Sequence, residues 1–285
     1  MILSFHPCFD TDVQVILGDR RLDSADLQLI RNAKAIILPQ TCPQEIYNAC
    51  SVSGASVFPS YEMRFKYPGK TGQSLQFKDF GFLHPDTLRW RTVDEFKKAY
   101  PASNAFPHDL PFFIKDDKSH EADGVFLVKD MPSLEKALDY LALRESSGLP
   151  GFVTQEFIPS EGNVLRAVII GRQGITYWKR PRKPGQEITT ISRGAIIDRD
   201  WQPDLQEKGK VQALLLSDKT GINLAAVDFV FPLSEDNPEP LFLEINYFFG
   251  RRGLGGSEAY YGLLYQAVQD WLGKIGMDPE SVTLV

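Results

Sequence analysis

The chain has little that would commit it to a membrane, a disulfide scaffold or a familiar catalytic motif. No apolar run approaches the roughly 20 residues a bilayer span needs. Only three cysteines occur, Cys8, Cys42 and Cys50, an odd number without metal spacing; free thiols in a reducing compartment are expected. The four histidines, at 6, 84, 108 and 120, are scattered, and none has metal-ligand spacing. GxSxG, HExxH, CxxC and GxGxxG are all absent, which removes the usual serine-hydrolase, zinc-protease, thiol-redox and dinucleotide readings. GKT at 69–71 resembles the tail of a Walker A motif, but Arg64 stands where its first glycine belongs. The opening MILSFHPCFD lacks a basic n-region and meets Asp10 too soon for a secretory signal, so a cytoplasmic protein is expected. A formal net charge of -6 argues against nucleic acid or an anionic membrane as the main partner.

What is there reads as an ordinary α/β protein without repeats or low-complexity stretches. Short apolar runs at 2–5, 13–17, 33–40 and 55–60 alternate with helical patterns at 24–32, capped by Ser24, and 43–51. That alternation predicts a small parallel unit ending near residue 62. A short helix, an extended segment at His84-Pro85 and a helix over 92–100 follow. Strands are expected at 111–117, 124–130, 151–159, 164–171, 175–180, 225–231 and 241–248. Helices are expected at 134–145, capped by Ser133, and at 205–220 and 257–273.

The strand LFLEINYF is apolar at nearly every position, yet it holds Glu244 and Asn246. Successive strand side chains alternate between faces, so these two share one face. The preceding strand, AAVDFVF, carries Asp228. A hairpin with Phe231 opposite Leu241 sets Asp228 opposite Glu244 and gathers three oxygen-bearing side chains. Unpaired buried carboxylates cost several kcal/mol each. A cation removes that cost, and a few oxygen ligands suit magnesium completed by water and substrate phosphates. The plain alternative is a rim pair neutralised by nearby arginines. Lys115, inside an apolar strand, needs an anion or a wet strand end. WKRPRKPG (178–185) and SRGA (192–195) are locally basic in an acidic chain.

In this order, Lys70, Lys115, Gln155-Glu156-Phe157-Ile158, Asn163 to Gly171 with Arg166, Arg193-Gly194, Asp228 and Glu244-Ile245-Asn246, the chain resembles the ATP-grasp superfamily. It is most similar to the glutathione synthetase and RimK-type glutamate ligase branch. The resemblance covers about residues 63–272. It implies two α/β subdomains holding ATP between them, at 63–157 and 158–285, after a short pre-ATP-grasp α/β domain at 1–62. It implies that Lys70 and Lys115 meet phosphates, that Gln155 to Ile158 form the adenine hinge, and that Glu161 meets ribose. Asp228, Glu244 and Asn246 would hold one or two Mg²⁺, or Mn²⁺. Arg193, with Arg182 and Lys179, would stabilise the reacting phosphate, and Arg166, Arg251, Arg252, Gly253 and Gly255 would face substrate.

The implied activity is ATP-dependent joining of a carboxylate to an amine through an acyl phosphate, on an amino acid, peptide or similar small acid. Such an enzyme needs no nucleic acid or membrane; relatives are frequently homodimers. A hydroxyl-directed kinase and a nucleotide-binding module without turnover keep the same fold and stay open. Two departures stand out. The loop from Asp116 to Gly124 has one glycine and four acids, where the family's loop is rich in Gly and Ser, and acids there are expected to repel phosphate. After the metal strand, Asn246-Tyr247-Phe248-Phe249-Gly250 replaces the family's N-x-x-P-G.

Overall fold

The structure, a computed structural model, describes residues 1–101, 105–119, 123–192 and 194–285. The first module holds β1 (Ile2–Ser4), β2 (Phe9–Asp10), β3 (Val13–Gln14), α1 (Ser24–Asn32), β4 (Ala35–Ile37), α2 (Gln44–Ser51) and β5 (Ser56–Phe58). Four of these strands form a parallel sheet in the order β3-β1-β4-β5. β1 and β4 are buried along their whole length, as expected of parallel strands covered on both faces. Asp23, not Ser24, caps α1: its carboxylate accepts from the N–H groups of Ala25 and Asp26, and Asp26 answers on the Asp23 N–H. The stronger acceptor one residue earlier wins the cap position.

Next come α3 (Glu62–Lys66) and α4 (Gly69–Asp79). Then β6 (Thr87–Trp90), α5 (Val93–Ala99), β7 (Phe112–Asp116), β8 (Val125–Val128), α6 (Met131–Ser146) and β9 (Phe152–Glu156) build a small antiparallel sheet, ordered β6-β9-β7-β8. One face packs on α5 and α6 through Phe96, Phe112, Ile114, Leu134, Leu138 and Phe152. Asp130 caps α6, with Ser133 as its capping-box partner, so the expected cap residue lies inside the first turn.

The third module holds β10 (Val164–Ile170), β11 (Gln173–Arg180), β12 (Ile196–Asp198), α7 (Pro203–Thr220), β13 (Leu224–Val230), β14 (Leu241–Asn246), α8 (Ser257–Lys274) and β15 (Thr283–Leu284). Its five-stranded antiparallel sheet runs β12-β11-β10-β13-β14, and β15 pairs with β2. Leu165, Ala167, Ile169, Val227 and Phe229 share a core with Leu3, Ile36, Tyr61, Phe77 and Phe82. Thus α4 is packed into the central core, whereas β6 to β9 have a core of their own. The opposite face of the large sheet is apolar at one end only. There Val168, Ile170, Tyr177, Leu224 and Ala226 pack under Leu264, Ala267 and Val268 of α8. At the other end the same alternation presents Arg166, Lys179, Asp228, Glu244 and Asn246. That charged half-face looks toward the small sheet. Among the described residues, no helix is long and apolar enough to cross a membrane.

Candidate active site

The register that makes this half-face contains a β-bulge. Val230 pairs with Leu241 and Phe229 with Phe242; the ladder then slips at Leu243, and Asp228 pairs with Glu244. The expected Asp228–Glu244 pairing is present, but Leu241 lies opposite Val230 and not Phe231. One extra residue in a strand re-aims the side chains beyond it; here it turns Glu244 and Asn246 to the charged face.

Asp228 is the hub of that face. Arg166 grips it with two bonds, Nε to Oδ1 and Nη2 to Oδ2, both 2.8 Å, and Lys179 Nζ donates to Oδ2 at 2.8 Å. Asn246 Nδ2 leans on the same oxygen at 3.4 Å. Burial acts to raise the Asp228 carboxyl, but Arg166 and Lys179 override it and hold the group well below the usual carboxylate range. Burial, then Arg166, lower the Lys179 ammonium.

Across the cleft, Lys115 and Gln155 project from the small sheet. Lys115 Nζ donates to Gln155 Oε1 at 2.5 Å, and Gln155 Nε2 donates to Thr87 Oγ1 at 2.9 Å. Lys115 is lowered to about 8: burial is the main cause and Lys70 acts with it, against the opposing pull of Glu244 and Asp228. Lys70 Nζ donates to the Ser119 carbonyl at 2.6 Å. Among the described residues neither lysine has a carboxylate within ion-pair distance. Lys70, Ser74, Phe77, Thr87, Lys115, Val153, Gln155, Leu243 and Glu244 line one cavity of about 20 Å³ between the sheets. Four cations (Lys70, Lys115, Arg166, Lys179) thus surround two carboxylates (Asp228, Glu244), an arrangement that attracts an anion.

Two acids of the 116–124 loop, expected to repel phosphate, are engaged by partners of their own. Asp116 accepts from Arg144 Nε at 2.7 Å and from the Tyr140 hydroxyl at 3.3 Å. Asp117 accepts from Thr71 N and Thr71 Oγ1, both at 2.7 Å, and so caps the first turn of α4. Residues 120–122 lie outside the described residues.

The remaining expected residues are spread around this centre. Glu156 ties the crossing between sheets, its carboxylate accepting from the Asp86 N–H at 2.7 Å and its own N–H donating to Asp86 O at 2.9 Å. Phe157 packs on Phe113, ring centroids 5.8 Å apart, and Ile158 is half-buried. Glu161 is exposed, in a left-handed conformation. Arg182 is exposed on the 181–195 loop, and Arg193 lies outside the described residues. The Arg251 guanidinium sits 4.7 and 4.5 Å from the Tyr260 and Tyr261 rings, and Arg252 and Gly255 are exposed. Gly253 is buried against Tyr177, where a Cβ would collide with the ring, and its carbonyl accepts from Arg199. Sequence reasoning missed Gln73 and Arg199, each of which acts through a contact distant in the chain, and it read Asp117 only as a loop acid, not as the cap of α4. Among the described residues no three His, Cys, Asp or Glu form a group that could hold a metal by themselves.

Residues 88–263 match the family described as the RimK-like ATP-grasp domain. Two relatives, each named a probable alpha-L-glutamate ligase, from Pseudomonas putida strains GB-1 and W619, are 23% identical over 146 residues. That stretch is 50% of this chain and 44% of theirs, so the match spans less than half the length of these relatives. The crystal structure of a RimK domain ATP-grasp protein from Sphaerobacter thermophilus superposes with a TM-score of 0.57 at 13% identity, covering 92% of this chain and 97% of that one. D-alanine–D-alanine ligase from Bacillus anthracis, complexed with ATP, gives 0.57 at 14% identity, covering 92% and 84%. These likenesses extend the shared fold over nearly the whole molecule. With its two sheets facing across a cationic cleft, the chain belongs to the RimK-like ATP-grasp family.

Proposed function

We propose that the protein is an ATP- and Mg²⁺-dependent ligase that joins a carboxylate to an amine through an acyl phosphate, on an amino acid, peptide or similar small acid. The observation that carries this reading is Lys115, an ammonium desolvated to about 8 in a cleft where cations outnumber carboxylates. A polyphosphate supplies the missing negative charge.

The donor atoms fit magnesium in part. Glu244 lines the cleft, and the Asn246 amide nitrogen leans on Asp228, leaving its oxygen as the ligating atom. Both Asp228 oxygens are engaged by Arg166 and Lys179, so Asp228 joins the ligand set only if Lys179 swings away. Glu244 and Asn246 would therefore hold the ion, with phosphate oxygens and water completing its shell. Bound Mg²⁺, or Mn²⁺ in its place, supplies neutralisation of phosphate charge.

Lys70 and Lys115 offset phosphate charge from the small-sheet side. Arg166 and Lys179, fixed by Asp228, present preorganised positive charge where the carboxylate is activated. The Glu156 N–H is already committed to Asp86, so adenine recognition falls to the main chain of Phe157 and Ile158, with Phe157 against the base. Glu161 would meet ribose. Arg193 and Arg182 would steady the reacting phosphate. Arg251, Arg252 and the amides of Gly253 to Gly256, which precede α8, would receive the acceptor's carboxylate. Little covalent work falls to the protein; it positions and stabilises charge.

The test is thermal unfolding with ATP, with and without Mg²⁺, in wild type and Glu244→Gln, followed by phosphate release with paired acids and amines. A ligand at about 100 times its dissociation constant stabilises by about 2.7 kcal/mol. A Mg²⁺-dependent shift lost in Glu244→Gln, and phosphate release needing both an acid and an amine, are the expected results. A stable phosphoester and ADP would point to a kinase instead. ATP binding without turnover on any acid–amine pair would point to a binding module. The binding-module reading drew its support from the acidic loop, and the engagement of Asp116 by Arg144 and Tyr140 and of Asp117 by Thr71 weakens that support.

A further inference from the structure

Gln73 lies on α4 one turn after Lys70, and it reaches a strand 172 positions away. Its Nε2 donates to the Ile245 carbonyl at 2.7 Å, and its Oε1 accepts from the Ile245 N–H at 2.9 Å. A primary amide carries the same donor and acceptor as a peptide group, so Gln73 acts as one residue of a neighbouring strand. β14 is the outer strand of the large sheet, and an outer strand presents unpaired N–H and C=O groups. Gln73 satisfies both at the one residue that separates Glu244 from Asn246. Ile245 itself is buried in the core, so its main chain cannot shift without moving both neighbours.

The other end of α4 is also tied. Asp117, just beyond β7, holds Thr71 through N and Oγ1, and the Lys70 N–H donates to Asp117 O at 3.2 Å. One short chain of hydrogen bonds therefore runs from the strand of Lys115, through the helix of Lys70, to the strand of Glu244 and Asn246. We propose that Gln73 is a positioning residue, which sets the height of β14 and so places Glu244 and Asn246 for the metal–phosphate complex. An apolar side chain there would leave the Ile245 N–H and C=O without this partner, and among the described residues the outer edge of β14 would keep only the bond from the Phe242 N–H to the Leu83 carbonyl, three residues away from Ile245. The proposal rests on the nucleotide reading above, and its test is arranged to fail separately from that reading.

Gln73→Met keeps the length and removes both hydrogen bonds; Gln73→Glu keeps the acceptor and removes the donor. Two measurements are made on the full chain: hydrogen exchange at the Ile245 amide, and the affinities for ATP with Mg²⁺ and for ADP without metal. In Gln73→Met, Ile245 is expected to exchange about tenfold faster or more. Affinity for ATP with Mg²⁺ is expected to fall by about 10- to 100-fold, the usual cost of losing a partner that orients a ligand, while metal-free ADP binds as before. Gln73→Glu is expected to weaken only the Mg²⁺-dependent increment as well. Unchanged Ile245 exchange in Gln73→Met overturns the clamp. Equal loss with and without metal overturns the positioning role, because it marks a merely structural one. A wild type that binds no nucleotide overturns the ligase reading and the positioning role with it, while the exchange arm, which needs no ligand, still decides whether the clamp exists.

Discussion

Lys115 is where sequence and chemistry meet most directly. An ammonium in the apolar strand FFIKD was legible as needing an anion; its desolvation was not, because that depends on Gln155 and on the opposing sheet. The consequence is a linkage with a definite sign. A lysine lowered to about 8 in the folded chain, against about 10.4 unfolded, binds its proton more tightly when unfolded. Stability therefore rises with pH across that interval. A phosphate at Lys115 reverses the effect by raising its pKa. Nucleotide binding at about pH 8.5 should then take up protons, seen as a calorimetric heat that varies with the buffer's ionisation enthalpy. The uptake should vanish near pH 6.5 and in Lys115→Met; a buffer-independent heat at pH 8.5 would mean that no anion meets this lysine. Asp228 was legible as a buried acid with two open readings, metal ligand or arginine partner. The structure shows Arg166 and Lys179 on it. Asp228→Asn leaves two buried cations under-compensated and should cost about 3–5 kcal/mol in urea unfolding.

Elements were legible wherever one period dominated, and their ends were not. Asp23 next to Ser24, and Asp130 three residues before Ser133, are competing caps in one short window, and the carboxylate took the position both times. The bulge at Leu243 has no mark in the sequence, because LFLEIN alternates equally well with or without it. The start of α4 was hidden for another reason: its cap comes from Asp117, 46 residues away from Thr71. The cap gives α4 a clear expectation. Asp117→Ala should lose about 1 kcal/mol, as helix-capping side chains do. Gly69→Ala should lose more, since Gly69 has φ +69° and a Cβ there would collide with the Asp117 carboxylate. Chemical denaturation of both variants checks the order; an Asp117→Ala protein as stable as wild type would show that α4 does not depend on this loop.

At the scale of the molecule, the cavity between the two sheets is too small for the ligand they are proposed to share. The cavity among Lys70, Lys115 and Glu244 holds about 20 Å³, room for one water or so, whereas ligand sites commonly measure about 300–1,000 Å³. The small sheet has its own core, and the chain enters and leaves it at Asp86 and Glu156, which clip each other by two hydrogen bonds. Gln73 and Asp117 meanwhile hold α4 to both sides. Because the small sheet has a core of its own, these contacts are expected to part with both cores folded, and opening is expected to precede entry. Binding should then pass through a unimolecular step. In stopped-flow mixing, the observed rate for a fluorescent ATP analogue should level off, or fall, as its concentration rises. Glu156→Ala, which removes one of the two hinge bonds, should raise that limiting rate without adding any contact to the nucleotide. A rate that climbs linearly with concentration to the mixing limit would mean that the cleft admits nucleotide as it stands.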